Sequence, residues 1–369
     1  MMSRNLSNMS TQIPKTMRAV ALSKYCEPSE YELATLPVPG ISEPDEVLIK
    51  VKAASVNPID VKLASKIGKL LGNATFPYKM GFDVAGVVVG VGSSVSNFKA
   101  GDEVYSLVSQ IHRGTFAEYA LSTADAISIK PQGLSFGEAA SIPLVTLTAL
   151  RSFRIADEKL TGGLKGKTVF IPAGLSGTGS SAIQLAKNVF GAGKVVTTLS
   201  AGKIEQSAEY LGHAVPDEII DYTKENVVRA IGKGTVDFMF DTVSSTIRAL
   251  PVMKRDSVIV SISTVPNGAE FNKTQGGNSR MWFVYLLNVL DWLLKAWTRR
   301  KGVDYQFLSR EAGECGEELN LIRQWIEEGK LKPIVGRRAK LSNVEEVRSG
   351  CQQVFDAQGG VGKFVIEID

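Results

Sequence analysis

The chain has 369 residues, enough for two ordinary domains and a large core. Its 44% hydrophobic and 22% charged content is that of a globular protein, and a net charge of +4 without a basic stripe argues against nucleic-acid binding. Three scattered cysteines (Cys26, Cys315, Cys351) and two histidines (His112, His213) exclude a disulfide framework and a zinc site of the usual composition; their sparseness suits a reducing compartment such as the cytoplasm.

Residues 1–13 are polar, rich in Ser and Asn, and lack the apolar stretch of a secretory signal, so a disordered tail is expected there. Between 17 and 130 the texture is strand-like. β-Branched runs at 18–22, 46–53, 84–91 and 103–107 are separated by Gly, Pro and Asp turns, which predicts a mostly β domain. From Leu134 onward helical segments alternate with short apolar runs at 168–171, 194–199, 218–220, 236–240, 257–263 and 305–308. Six runs interleaved with helices predict an α/β unit built on a doubly wound parallel sheet. Residues 332–369 return to strand texture and end in a run at 363–368, so the first domain is expected to reclaim the C-terminus.

The most informative stretch is TVFIPAGLSGTGSSAIQLA, residues 168–186. An apolar run feeds a glycine-rich turn, which opens into a helix with Ile183, Leu185 and Ala186 at helical spacing. Absent side chains let a diphosphate approach backbone N–H groups, and the helix dipole favours its charge. Gly174, Ser176, Gly177, Thr178 and Gly179 are therefore candidate cofactor-binding residues. NAD-binding sheets usually end the second strand in Asp or Glu, which accepts from the ribose hydroxyls. Here that strand ends in TTLSAGK, placing Ser200 and Lys203 where the acid would stand. A hydroxyl and an ammonium attract a 2′-phosphate, so the cofactor is expected to be NADP(H). Thr242 follows the fourth strand of the sheet, at an end where such sheets bind ligands.

Residues 281–297, MWFVYLLNVLDWLLKAW, precede Arg299, Arg300 and Lys301. The stretch is near the lower length limit for a membrane span, and Asn288, Asp291 and Lys295 interrupt it. Two placements remain open. One is a helix packed over a substrate pocket or a subunit interface. The other is peripheral membrane contact through 281–301, with the basic cluster facing anionic lipid.

The order of several blocks resembles the medium-chain dehydrogenase/reductase superfamily, in its zinc-free branch of quinone oxidoreductases and enoyl reductases. The blocks are AASVNPIDVKLAS (53–65), GFDVAGVVVGVGSSVSNFKAGDEVY (81–105), GTFAEYA (114–120), LSFGEAASIPLVTLTAL (134–150), the glycine turn, EIIDYT (218–223) and GKFVIEI (362–368). The match extends from Met17 to Asp369. The resemblance implies a GroES-like β domain over 14–142 and 331–369, a Rossmann domain over 143–330, and an active site in the cleft between them. Zinc-dependent relatives place a cysteine near Asn57 and a histidine after Gly81. Here those positions hold Asn57 and Phe82, and the four-cysteine structural loop is absent, so metal-assisted alcohol oxidation is not expected.

The resemblance further places Tyr222 near the 2′-phosphate, Thr148, Gly362 and Lys363 on the nicotinamide side, and Asn57 facing the same cleft. It implies hydride transfer from NADPH to the β carbon of an activated alkene, or to a quinone, in a small apolar electrophilic substrate. It also implies homodimers. Asn57 and Lys62 are the first catalytic candidates; Tyr78, Tyr285, His112 and solvent are further proton sources. Two other readings stay open. One is a tailoring step in a biosynthetic pathway, with substrate stacked under Trp282 and Trp292. The other is an NADPH-binding peripheral or regulatory module without turnover.

Overall fold

The structure, a computed structural model, describes residues 13–71, 75–274, 277, 279–309, 314–358 and 360–369. The tail read at 1–13 lies outside the described residues except for Ile13. The N-terminal part contains β1 (Thr16–Leu22), β2 (Leu33–Pro37), β3 (Glu46–Val56), α1 (Pro58–Ala64), α2 (Lys66–Leu71), β4 (Tyr78–Lys79), β5 (Asp83–Val91), β6 (Glu103–Leu107), β7 (Tyr119–Thr123), β8 (Ile127–Ile129) and α3 (Phe136–Ala140). β3 is the spine. It pairs antiparallel with both β5 and β7, and nine of its eleven residues are buried, because strands and helices cover both its faces. At its end Pro58 starts α1, where the missing proline N–H is not needed. Asp60 accepts from the Asn57 N–H at 2.7 Å and closes the helix start.

The second part runs through α4 (Pro143–Lys159), β9 (Thr168–Ile171), α5 (Gly177–Asn188), β10 (Lys194–Leu199), α6 (Ala201–Ile204), α7 (Ser207–Leu211), β11 (Glu218–Asp221), α8 (Val227–Ile231), β12 (Val236–Asp241), α9 (Thr246–Ala249), β13 (Met253–Ser261), α10 (Gly268–Thr274), α11 (Met281–Arg300), β14 (Val303–Phe307) and α12 (Gly316–Glu327). Its six strands are all parallel in the order β11-β10-β9-β12-β13-β14. The order reverses between β9 and β12, the place where doubly wound sheets bind ligands. Alternate residues feed opposite faces: Val169, Ile171 and Val195 join one core cluster, Phe170 and Val196 the other.

Finally β15 (Val335–Lys340), α13 (Val344–Phe355) and β16 (Lys363–Glu367) return to the first sheet, where β16 pairs antiparallel with β3. The fold is thus α/β: a GroES-like β domain and a Rossmann parallel sheet. Two strands start earlier than their apolar runs suggested. In β13 Met253 is followed by Lys254, Arg255 and Asp256, and β14 carries Asp304 among its first residues, so hydropathy hid their starts.

Candidate active site

The glycine turn sits at the carboxyl end of β9, on the strand-order reversal. Ser176 caps α5 by accepting from the Gly179 N–H at 3.0 Å, leaving the positive end of a twelve-residue helix at the turn. Close packing explains the glycines. A Cβ on Gly174 would lie 2.3 Å from Thr197 Oγ1, and one on Gly179 would lie 2.4 Å from the Ala173 carbonyl oxygen. Helix and strand therefore approach as only glycine allows. Thr242, at the end of β12, donates to the Pro172 carbonyl at 3.1 Å and ties the neighbouring strand to the turn.

The C-terminal strand reaches this turn from the other sheet. The Gly362 N–H donates to the Leu175 carbonyl at 2.8 Å, and Gly362 bridges Ser176. Gly362 has φ of 60°, a conformation that favours glycine. The next residue, Lys363, runs past the start of α5: a Cβ on Gly177 would meet its Cδ at 2.7 Å. Thr146, Gly177, Ser181 and Lys363 share the wall of a narrow cavity there. Thr178 lies beside them at the first turn of α5 and is half-buried.

Behind the cavity lies a buried polar network. The Lys363 ammonium donates to the Val56 carbonyl at 2.9 Å and to Asn57 Oδ1. The Asn57 NH2 group donates to Asp83 Oδ2 at 2.8 Å, which fixes the amide's orientation: oxygen toward the ammonium, nitrogen toward the carboxylate. Ser55 donates to the same oxygen at 2.7 Å. The other Asp83 oxygen accepts from the Leu144 N–H at 2.9 Å, at the N-terminal end of α4. Lys363 Nζ stands 3.7 Å from Asp83. Asn57 and Asp83 are fully buried and Lys363 nearly so. Burial lowers the pKa of the Lys363 ammonium, and the charges of Asp83 and Asp60 oppose that fall. Sequence reasoning missed Asp83 and Thr146. Asp83 opens β5 inside the GFDVAG block, and a charged residue starting an otherwise apolar strand was the available signal.

A second group gathers at the carboxyl end of β10. The Tyr222 N–H donates to the Leu199 carbonyl at 3.2 Å, and the Lys203 N–H donates to the Ser200 carbonyl at 2.9 Å. Ser200, Lys203 and the exposed Tyr222 are thus neighbours, and Lys203 Nζ donates to the Gly360 carbonyl at 3.2 Å. Partial burial lowers the Lys203 pKa.

Other candidates lie apart. Lys62 is exposed on α1 and takes no part in the Asn57 network. The Thr148 hydroxyl donates back to the Leu144 carbonyl at 2.6 Å, within its own helix. His112 is bonded to Ser109 at 2.9 Å and to Glu46 at 3.0 Å. Tyr78 is buried with the Arg113 guanidinium 4.4 Å above its ring. Tyr285, Trp282 and Trp292 are 62–66% exposed on α11, so the tryptophans do not roof a pocket. The helix buries Val284, Leu287, Leu294 and Thr298 instead, and the spacing of those positions turns the aromatic face outward.

Residues 43–132 match the family described as "Alcohol dehydrogenase GroES-like domain", and residues 216–348 match "Zinc-binding dehydrogenase". The chain is 38% identical over 284 residues to the 2-methylene-furan-3-one reductase of Solanum lycopersicum, covering 73% of this chain and 69% of the relative. It is 38% identical over 278 residues to the chloroplastic NADPH-dependent alkenal/one oxidoreductase of Arabidopsis thaliana, covering 72% and 68%. The solved quinone oxidoreductase of Coxiella burnetii superposes with a TM-score of 0.76 at 28% identity, over 96% of this chain and all of that one.

Zinc does not fit the residues present. Asn57 and Phe82 stand where metal ligands would, and an ammonium already occupies the Asn57 oxygen. The three cysteines are buried and free, with burial pushing the Cys315 thiol up to about 11. Among the described residues no group of three His, Cys, Asp or Glu side chains converges. The chain belongs to the medium-chain dehydrogenase/reductase superfamily, among its quinone oxidoreductases and alkenal/one reductases, and is an NAD(P)H-dependent oxidoreductase.

Proposed function

We infer that the protein uses NADPH to reduce the activated C=C bond of an enone or enal, or a quinone. The observation that carries this reading is the meeting of Lys363 with the start of α5. A buried cation lies beside a helix terminus suited to a diphosphate, on the strand-order reversal. The cradle fits a dinucleotide, since its glycines let strand and helix close without side chains. Ser200, Lys203 and Tyr222 fit the 2′-phosphate, and the first residue after β10 is a serine in place of a carboxylate. Two relatives named for methylene-furanone and alkenal/one reduction support the substrate class.

When bound in this cradle, NADPH would supply a hydride for the β carbon, and solvent would supply the proton of the saturated product. The chain's own contribution is electrostatic and geometric. Negative charge develops on the carbonyl oxygen, and of the two lysines that line the cavity, Lys332 and Lys363, Lys363 is the buried one. Its N–H groups face Val56, Asn57 and, at 3.7 Å, Asp83, so the ammonium acts on the cavity through its charge. Asp83 and Asn57 hold that ammonium in place, and the charge of Asp83 opposes the burial-driven fall of its pKa. The side chains of Ile142 and Val145 line the same cavity and exclude water.

The test is NADPH absorbance followed across a panel of enones, enals and quinones. Turnover with at least one class, and preference for NADPH over NADH, is expected. Tight NADPH binding without turnover on the whole panel would instead support a cofactor-binding module.

A further inference from the structure

Helix α11 turns two unlike faces in opposite directions. Val284, Leu287, Asp291, Leu294 and Thr298 recur at three- and four-residue intervals and are buried. Trp282, Leu286, Val289, Leu293 and Trp297 run along the other side and are 42–62% exposed. Nine of the seventeen exposed large apolar residues named among the described residues lie on this one helix. A patch of that size on a water-facing surface marks something that binds there.

Charge identifies the occupant. The only acid of the helix, Asp291, is buried and paired with Lys295 at 2.8 Å. Arg280 precedes the helix, Arg299 and Arg300 end it, and Lys301 follows; all four are exposed. The nearest strand's Asp304 is paired with Lys159 at 2.7 Å, and Glu270 of α10 accepts from Ser309 at 3.2 Å. The outer face therefore offers tryptophans, aliphatic side chains and cations. A second copy docked by two-fold symmetry would bring Arg280 against Arg299 and Arg300 in an antiparallel pairing, or the basic ends against each other in a parallel one. Neither arrangement supplies a carboxylate on that face, and like charges brought together disfavour both. An anionic lipid surface meets the same features favourably. Aromatic rings settle at the headgroup level, aliphatic groups enter the acyl boundary, and arginines face the anionic headgroups. No helix among the described residues is long and apolar enough to cross a membrane, and at twenty residues α11 is about 30 Å long, suited to lying in the surface plane.

We propose that the outer face of α11 docks the protein on an anionic bilayer, with Trp282, Leu286, Val289, Leu293 and Trp297 in the interface and Arg280, Arg299, Arg300 and Lys301 against the headgroups. This stands independently of the substrate reading. The purified full chain is floated with vesicles of phosphatidylcholine alone and with added phosphatidylserine. Enrichment on the phosphatidylserine vesicles, lost at high salt, is expected, together with a blue shift of tryptophan emission, since three of the four tryptophans lie on α11. The double substitution Leu286→Glu/Leu293→Glu and the separate pair Arg299→Gln/Arg300→Gln should each weaken partitioning about tenfold or more with unchanged melting. No enrichment on either vesicle overturns the proposal. So does a dimer in solution that Leu286→Glu/Leu293→Glu converts to monomer without altering vesicle binding, because a second copy would then own the face.

Discussion

Lys363 and Asn57 lie 306 positions apart in the chain and are hydrogen-bonded beside the start of α5. Asp83 holds both, through the Asn57 amide at 2.8 Å and through charge on Lys363 at 3.7 Å. The three side chains act as one unit, completed by Ser55, the Leu144 N–H and the Val56 carbonyl.

The first prediction follows from that unit. Asp83 opposes the burial-driven fall of the Lys363 pKa. With Asp83→Asn the ammonium loses its proton at lower pH, so the alkaline limb of kcat/KM moves to lower pH. At neutral pH kcat/KM falls about tenfold or more, while NADPH affinity changes little. Lys363→Met, which removes the cation, loses on the order of 100-fold or more. A pH–rate profile for Asp83→Asn that overlays the wild type would detach Asp83 from the reaction.

Cofactor choice is the second. Lys203 stands beside Ser200 and Tyr222 at the end of β10. In the proposed reading Lys203 contacts the 2′-phosphate, so Lys203→Ala should weaken NADPH binding by roughly 10- to 100-fold. NADH, which lacks that phosphate, is little affected. Fluorescence titration with both nucleotides measures the ratio, and equal losses would refute the phosphate assignment.

The glycine turn yields a stability test. A Cβ on Gly174 would lie 2.3 Å from Thr197 Oγ1 and 2.7 Å from Ile183 Cδ1. Both neighbours are fully buried, so the contact is relieved only by moving strand or helix. Gly174→Ala should destabilise the protein by about 1–3 kcal/mol, lower its melting temperature and weaken NADPH binding. Unchanged melting would mean that the turn tolerates a side chain.

Acid stability depends on Glu46. Burial opposes its ionisation, but the N–H groups of Glu43 and Ser42, together with His112, outweigh burial and hold the carboxyl at about 2, against 4.5 unperturbed. A carboxyl depressed in the folded state stabilises above its unfolded pKa. That stabilisation, roughly 3 kcal/mol, is lost as pH falls from 4.5 through about 2. Glu46→Gln should be less stable at neutral pH and flatter across that window. Urea midpoints at several pH values measure it, and parallel curves for the two proteins would contradict the assignment.

Much was legible in the sequence because much of it is local. Strand runs, the glycine turn and the missing acid after β10 are patterns within a few residues, and backbone geometry interprets them directly. The ordered blocks identified the superfamily for the same reason. The failures have physical causes. The start of β13 was hidden by Lys254, Arg255 and Asp256, which lie half-buried or exposed before the strand enters the core. The aromatic stretch at 281–297 left its placement open, and only packing showed that Leu287 and Leu294 face inward while Trp282 and Trp292 face water. Lys62 looked as good a candidate as Asn57, yet one is exposed and the other fully buried.

By itself, then, the sequence determined the strand and helix pattern, the glycine-rich turn and the superfamily, since short-range spacing and residue chemistry encode all three. The tertiary structure alone decided that Asp83, Asn57 and Lys363 form one charged unit, because pairing β16 against β3 brings residues from both ends of the chain into a dry interior. There an unpaired charge would be too costly to keep, so the three side chains must satisfy one another.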